Sequence, residues 1–359
     1  MQPMKQPPLP LVRTVEFLRG ALAALHRRLV PGHIALMEMF TAGWLAQAVA
    51  AAAELGIADA LARGPRTLAE LAVAVDADED ALRRLLCLLT SHGVFAEDAR
   101  GRYRSTPAAR ALRTDSEVSL RDVILFFGTD FHRGRWTRLV DAVRTGAPIG
   151  GASAFFDLVA EDRALGASFD RAMTSIGGLS TEALLDAYDF ARYDTIVDIG
   201  GGEGRFIAEI LRRAPRSRGI LFDMPEVVAG APERLAELGV ADRCSIESGS
   251  FFDAVPTGGD LYVLKHIVHD WDSERIATIL RVLRTAMPPT ARLLLVELVL
   301  PHHNRPHPGK YIDLEMLINT GGRERDATEY RDLLARSGFT LLRHIATVAP
   351  DQLLEAAPN

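Results

Sequence analysis

The stretch VDIGGGEGRF, Val197 to Phe206, lies between a short apolar, β-branched run, TIVDI, and a segment of helical periodicity, RFIAEILRR. A glycine turn in that position lets the backbone approach a ligand closely. The dinucleotide fingerprint requires glycine at its first, third and sixth positions. Counted from Gly200, the sixth position is Arg205, so the fingerprint fails, and no Gly-Lys-Ser/Thr follows to make a Walker loop.

The charges around the loop discriminate further. Asp198 ends the strand and Glu203 sits inside the turn, two carboxylates where a pyrophosphate requires donors and positive potential. They predict a ligand with cationic groups. S-adenosylmethionine carries an ammonium and a sulfonium and has no phosphate. Asp223, at the end of ILFD and 21 residues after Gly202, is placed to accept both ribose hydroxyls, although an aspartate at a strand end also serves in turns.

Downstream of Asp194, short apolar runs alternate with helical ones: TIVDIG, RFIAEILRRAP, RGILFDMP, RLAELGV, CSIESG, DLYVLKHIVHDW, ERIATILRVLRTAM, ARLLLVELVL, EYRDLLARSGF and TLLRHIATV. This alternation predicts βαβ units and a doubly wound, mostly parallel sheet over residues 189–359, with the ligand beyond the carboxyl ends of the strands. Residues 1–112 read as a separate, mostly helical domain. A helix at Leu68–Val73 is followed by a turn at Asp76 and Asp78 and a second helix at Asp80–Ser91, with Leu82, Leu85, Leu86 and Leu89 on one face. Two short strands around Gly101 complete a winged-helix pattern. Such a fold reads DNA elsewhere, but Asp76, Asp78, Glu79 and Asp80 oppose a polyanion at the end where base contacts form, so packing and dimerisation are expected instead. Residues 113–188 stay helical, with aromatic clusters at Phe126, Phe127, Phe131 and Trp136 and at Phe155 and Phe156.

Composition supports a soluble globular chain. Of 359 residues, 48% are hydrophobic and 25% charged, and the net charge of -6 disfavours nucleic acid and anionic membrane as partners. Two cysteines, Cys87 and Cys244, suit the cytoplasm and make no disulfide framework. The opening MQPMKQPPLP reads as a loose arm rather than a secretory signal. The alanine-rich run Trp44–Ala62, interrupted by Gln47, Glu54 and Asp59, reads as a buried interface helix rather than a membrane span.

The motifs VDIGGGEGRF, LFDMPEVV, SGSFFDAVP, LKHIVHDWDSE, LLLVELVLP and GGRERDATEYRDLLARSGF stand in the order seen in the plant-type small-molecule O-methyltransferases and their bacterial relatives. The resemblance covers nearly the whole chain. It implies a Rossmann-like class I methyltransferase domain preceded by a winged-helix-like dimerisation domain, and a cytoplasmic homodimer. It also implies cofactor contacts from Gly200, Gly202, Asp223, Met224, Ser250, Phe251 and Lys265. Ser250 departs from the acidic residue common among relatives and accepts a hydrogen bond more weakly; Lys265 serves either a carboxylate or the surface. In LKHIVHDW, the HDW match makes His269 the general base, while His266 reads as structural. Glu297, after LLLV, and Glu329, in the GGRER segment, are implied to flank the histidine, which a carboxylate on one ring nitrogen would orient. Glu329 also reads as an exposed helix residue, Asp270 as an assistant or a cap, and Asp326 as a cap. No third ligand at recognisable spacing joins His266 and His269, so no metal is expected.

Position rather than chemistry nominates Phe127, Phe131, Trp136, Met173, Met316 and Asn319 as walls for a flat aromatic acceptor, with core packing as the alternative for each. Two rival functions share these features: a metabolite-sensing winged-helix DNA-binding regulator, and a relative using the same cofactor for a non-methylating reaction such as hydroxylation.

Overall fold

The structure, a computed structural model, describes residues 7–152, 154–302 and 305–359. Positions 1–6 of the expected N-terminal arm lie outside the described residues, and Leu9 and Pro10 already belong to a helix. The chain forms two compact units. One holds Val15–Thr137 and Asp157–Leu179; the other is built chiefly of Arg138–Phe156 and Ser180–Asn359. The helical stretch 113–188 is thus divided between both units.

In chain order the first elements are α1 (Leu9–Arg28), α2 (Gly32–Glu54), α3 (Ile57–Ala60), α4 (Leu68–Ala74) and α5 (Glu79–Ser91). The hairpin β1 (Phe95–Glu97) and β2 (Tyr103–Ser105) follows, then α6 (Pro107–Arg110), α7 (Arg121–Phe127) and α8 (Asp130–Trp136). The helix, turn, helix and wing are as the periodicity predicts. A capping box between Thr67 and Glu70 starts α4, and the Asp78 carboxylate accepts the Ala81 amide to start α5. Leu82, Leu86 and Leu89 pack with Ile57, Leu71 and Phe95, each such side chain contributing about 1.5–3 kcal/mol on burial.

The apolar run expected to be buried is only partly so. In α2, Ala48, Ala52 and Ala53 face the core, but Trp44 is 65% exposed, beside exposed Leu36, Met37, Met39 and Phe40. By length and composition α2 is apolar enough to cross a membrane. Its fully buried residues are all alanines and most of its large side chains face outward, Leu45 and Val49 excepted, a pattern that suits a surface made for a partner.

The chain continues through α9 (Leu139–Thr145), α10 (Ala154–Glu161), α11 (Arg163–Ala187), β3 (Thr195–Ile199), α12 (Arg205–Arg213), β4 (Arg218–Asp223), α13 (Ala231–Glu237), β5 (Cys244–Ser248) and β6 (Leu261–Lys265). It ends with α14 (Ser273–Ala286), β7 (Arg292–Leu300), α15 (Gly309–Asn319), β8 (Arg325–Asp326), α16 (Ala327–Arg336), β9 (Phe339–Ile345) and β10 (Asp351–Pro358). The sheet order is β5-β4-β3-β6-β7-β10-β9, with β8 paired to β7. Pairing is parallel from β5 to β7, whereas β10 is antiparallel to both neighbours. Strand order reverses at β3, which lies between β4 and β6. The carboxyl ends of β3 and β6 therefore meet at the switch point, where such sheets bind ligands. That is where the glycine turn and the two histidines lie.

Candidate active site

Two glycines shape the turn after β3. Gly200 and Gly202 have φ of 70° and 62°, a region L side chains rarely enter. A side-chain carbon on Gly200 would fall 2.5 Å from Ile267 Cδ1, whereas one on Gly202 would meet open space. The Gly202 amide donates to Asp223 Oδ2 at 2.8 Å and the Met224 amide donates to Asp223 Oδ1 at 2.7 Å. Burial pushes this carboxyl's pKa up against those two donors. Each oxygen keeps lone pairs for a further donor, as a vicinal diol requires.

Phe251, Phe252 and Trp271 stand beside the turn with ring centroids 4.9–6.0 Å apart. Met224 is 40% exposed at its rim. Ser250 Oγ accepts the Phe252 amide at 3.2 Å and so caps its own turn. Lys265 is half-buried, its ammonium 5.6 Å from the centre of the Phe206 ring, with no hydrogen bond or ion pair among the described residues. Burial lowers its pKa against the charges of Asp351, Asp198 and Glu297. A half-buried ammonium without a counter-ion suits a ligand carboxylate. The diol-facing carboxylate, the aromatic wall and this ammonium together fit S-adenosylmethionine.

Asp198 is 1% exposed beneath the turn, its Oδ2 without a hydrogen-bond partner. Burial raises its pKa, Lys265 opposes and Asp223 adds, so that it is pushed up to about 7. Glu203 is exposed and leans toward Gly230.

His269 lies in a 3-10 turn, Val268–Asp270, directly after β6. Its Nδ1 lies 2.8 Å from Glu324 Oε1 and 3.6 Å from Glu297 Oε2; its Nε2 lies 3.6 Å from Asp270 Oδ1. A carboxylate only accepts, so Nδ1 carries a proton whether the ring is charged or neutral, and Nε2 is the nitrogen that must lose one to act as a base. Burial opposes charge on the ring, but Glu297, Asp270 and Glu324 outweigh it and raise its pKa to about 10. Burial also raises Glu297 to about 8, so the cluster holds its protons tightly.

The backbone around the histidine is clamped. Glu297 Oε1 accepts the Val268 amide at 2.8 Å, the Arg323 amide donates to the His269 carbonyl at 2.8 Å, and Arg325 Nη1 donates to the Val268 carbonyl at 3.1 Å. Gly322 permits this approach, since a side-chain carbon there would lie 1.9 Å from the His269 carbonyl oxygen. His266 takes φ 56° and holds Asp351 Oδ1 with Nε2 at 2.7 Å. Burial and the Lys265 charge push its pKa down to about 4 against Asp351, so it is a neutral, structural residue.

The assignment of Glu329 is corrected. Its Oε2 accepts the Asp326 amide at 2.9 Å and its Oε1 accepts Arg323 Nη2 at 2.7 Å, completing the capping box of α16. A side chain held at a helix start cannot also orient the imidazole, and Glu324 stands there instead. Asp326 is the cap expected, whereas α14 is capped by Asp272 rather than Asp270. His269, Glu297 and Glu324 also bring ligand-type atoms within 4.8 Å of one another. They come from three separate segments, which spacing along the chain cannot reveal.

Phe127, Phe131, Trp136 and Met173 are half-buried in the first unit, and Phe127 packs on His132 with centroids 4.6 Å apart. Met316 and Asn319 belong to the second unit. Met316 is half-buried; Asn319 is buried and its Nδ2 donates to Glu315 Oε1 at 2.6 Å, which favours the core reading for that residue.

A doubly wound sheet with this glycine turn, ribose-type aspartate and buried His–Glu pair defines a class I methyltransferase. The chain matches the O-methyltransferase domain over residues 136–340 and the O-methyltransferase dimerisation domain over residues 37–115. It is 40% identical over 332 residues to the phenazine O-methyltransferase PhzM of Lysobacter antibioticus, covering 92% of this chain and 97% of that protein. It is 41% identical over 318 residues to the O-demethylpuromycin-O-methyltransferase of Streptomyces alboniger, covering 86% and 84%. Human N-acetylserotonin methyltransferase, solved in complex with SAM, superposes with a TM-score of 0.84 at 27% identity, covering 92% of this chain and 98% of that one. The chain belongs to the S-adenosylmethionine-dependent O-methyltransferase family, and its winged-helix pattern falls within the dimerisation domain rather than a DNA-binding regulator.

Proposed function

We propose that this enzyme methylates a hydroxyl of a small aromatic metabolite, with His269 Nε2 as general base and Glu324 and Glu297 orienting the ring. The observation that carries this reading is the one-sided environment of the imidazole: Nδ1 is fixed on Glu324, leaving Nε2 to receive a proton. The cofactor, when bound, supplies an electrophilic methyl group on a positively charged sulfur. Gly200, Gly202, Asp223 and Lys265 would hold it, with Met224, Ser250 and Phe251 at the rim. The imidazole's proton affinity falls when positive charge is brought beside Nε2, which turns a resting imidazolium into a base. Base catalysis of this kind contributes about 10²–10⁴-fold. Met316 is assigned to the apolar wall for an aromatic ring, and the names of both bacterial relatives refer to O-methylation.

The enzyme is a homodimer in this reading. The large side chains of α2, exposed within the dimerisation match, are covered by a second copy. The cytoplasm is its compartment, which suits the free thiols of Cys87 and Cys244. The test is transfer of radiolabelled methyl to a panel of hydroxyphenazines and hydroxybenzoates. His269→Ala is expected to lose roughly 10²-fold or more in rate with cofactor affinity kept; full activity in the variant refutes the base assignment.

A further inference from the structure

At the end of the sheet opposite the glycine turn, three arginines gather on one carboxylate. Glu355 in β10 is 3% exposed. Its Oε1 accepts Arg192 Nη2 at 2.9 Å and lies 3.8 Å from Arg292 Nε, and its Oε2 accepts Arg343 Nε at 2.6 Å. Arg192 lies in the turn before β3, Arg292 opens β7 and Arg343 lies in β9. Strand register separates this cluster from the histidine: Arg292 and Glu297 are five residues apart along β7, about 17 Å at the rise of a strand. The four charged residues, with Tyr193 and Leu342, line an open cleft of about 330 Å³. From this arrangement we propose that the cleft is a second binding site, for a phosphate dianion, separate from the site of methyl transfer.

The charge count favours an anion. Glu355 is the one carboxylate lining the cleft, and three guanidinium charges exceed it by two. Like charges held on one carboxylate repel unless a further anion joins them. Asp194 and Asp260, at the neighbouring strand starts, make no ion pair with these arginines among the described residues, and Asp260 Oδ2 is occupied by the Thr195 amide at 2.9 Å. Burial raises the pKa of Tyr188, and the Tyr193 hydroxyl adds to the rise, so the Tyr188 phenol beneath the cluster contributes no negative charge.

The donors are both fixed and available. Arg192 Nη2 donates to the Tyr188 and Tyr193 hydroxyls at 2.9 and 2.6 Å, with its guanidinium 4.9 and 4.8 Å from the two ring centres. Arg292 Nη1 donates to the carbonyls of Thr290 and Ala291, each at 3.0 Å. Arg192 Nη1, Arg292 Nη2 and Arg343 Nη1 have no partner among the described residues, and the three side chains are 34–48% exposed, so a solute can reach them. A carboxylate is satisfied by the fork of one guanidinium, whereas a phosphate dianion has oxygens enough for several and the charge to match the excess. Leu342, 47% exposed, offers apolar contact to the organic part of a phosphate monoester.

The test is calorimetry on the full-length enzyme saturated with S-adenosylmethionine, at about pH 8, where a phosphate ester is a dianion, with ionic strength held by chloride. The probes are inorganic phosphate and phenyl phosphate. Wild type should bind at least one of them with Kd at or below about 1 mM. Arg292→Gln and Arg343→Gln should each weaken binding by at least about tenfold, and Arg292→Lys by less, while affinity for S-adenosylmethionine and methyl transfer stay at the wild-type level. Having the two variants on different strands guards against one that folds poorly. Tighter binding of phenyl phosphate assigns the cleft to a monoester, and equal binding to free phosphate. Absence of binding by wild type, or affinity left unchanged in both glutamine variants, overturns the proposal. Neither probe takes part in methyl transfer, so such a failure leaves the His269 assignment untouched.

Discussion

Replacing Glu324 by glutamine keeps the shape at Nδ1 and an oxygen to accept its proton, but removes one negative charge from beside the ring. With 2.8 Å between Glu324 Oε1 and Nδ1, the charge centres lie about 4 Å apart, worth about 4 kcal/mol at an effective dielectric constant near 20. That corresponds to roughly 3 pKa units. Glu297, raised to about 8 partly by Glu324, ionises more readily once Glu324 is neutral and returns part of the lost charge. A net fall of about 1–2 units for His269 remains. The base must be unprotonated, so the rate rises with pH through its pKa, which is about 10 in the wild type without ligand. Bound cationic cofactor lowers this limb in both proteins, so their difference is the measure. kcat/KM for the phenol, followed from about pH 6 to 10.5, should show the Glu324→Gln limb displaced to lower pH by about 1–2 units, with the plateau reduced at least about tenfold because the imidazolium is less stabilised. Ionisation of the phenol itself gives a limb that does not move between the two proteins. Glu329→Gln, which alters only a helix cap, should leave the limb in place. An unmoved limb in Glu324→Gln, or an equal displacement in Glu329→Gln, refutes the assignment of Glu324.

Two other perturbations follow from the geometry. Asp223→Ala removes the acceptor beside Gly202 and should weaken S-adenosylmethionine binding by at least about tenfold in calorimetry, with melting temperature changed little without ligand; unaltered affinity would contradict the ribose assignment. Gly322→Ala forces a carbon against the His269 carbonyl and should lower stability by about 1–3 kcal/mol in urea unfolding and cut activity about tenfold or more, whereas wild-type behaviour would show that the clamp is not needed.

The strands that carry the site are legible because β3, β4, β6 and β7 are apolar runs, with nearly all residues buried in β3, β6 and β7 and half of them in β4, and with turn residues at their ends. The final strand is not. DQLLEAAP contains no β-branched residue, and its extended form is set by pairing with β7 on one side and β9 on the other. α11 runs through Gly177 and Gly178 despite their poor propensity, and α1 begins inside what reads as a loose arm. In the site, the glycine turn and Asp223 are legible from spacing as well as from the family resemblance, because a βα turn and the end of the next strand are local features. Glu324 was missed although a signal existed. Asp326-Ala-Thr-Glu329 is a capping-box pattern, so Glu329 was already engaged at the start of α16 and the other glutamate of GGRER was the one available. The burial of Asp198 follows from its position near the end of the central strand β3, where both faces are covered.

The cluster around His269 also sets a conflict between stability and reactivity. The folded pKa of the ring, about 10, lies above the ordinary 6.5, so folding takes up a proton there. The stabilisation this provides is fully present below about pH 6.5 and is lost as pH rises through about 10, on the order of a few kcal/mol. The neutral form needed for base chemistry is therefore the less stable form of the fold, kept in place by the Glu297 and Arg325 contacts to the Val268 backbone rather than by charge. Wild-type melting temperature should fall between about pH 7 and 10, and the slope should be shallower in His269→Gln, whose side chain cannot be protonated. Parallel slopes in the two proteins would mean that the imidazole gains no proton on folding, and the carboxylates around it would then have to hold their own protons instead.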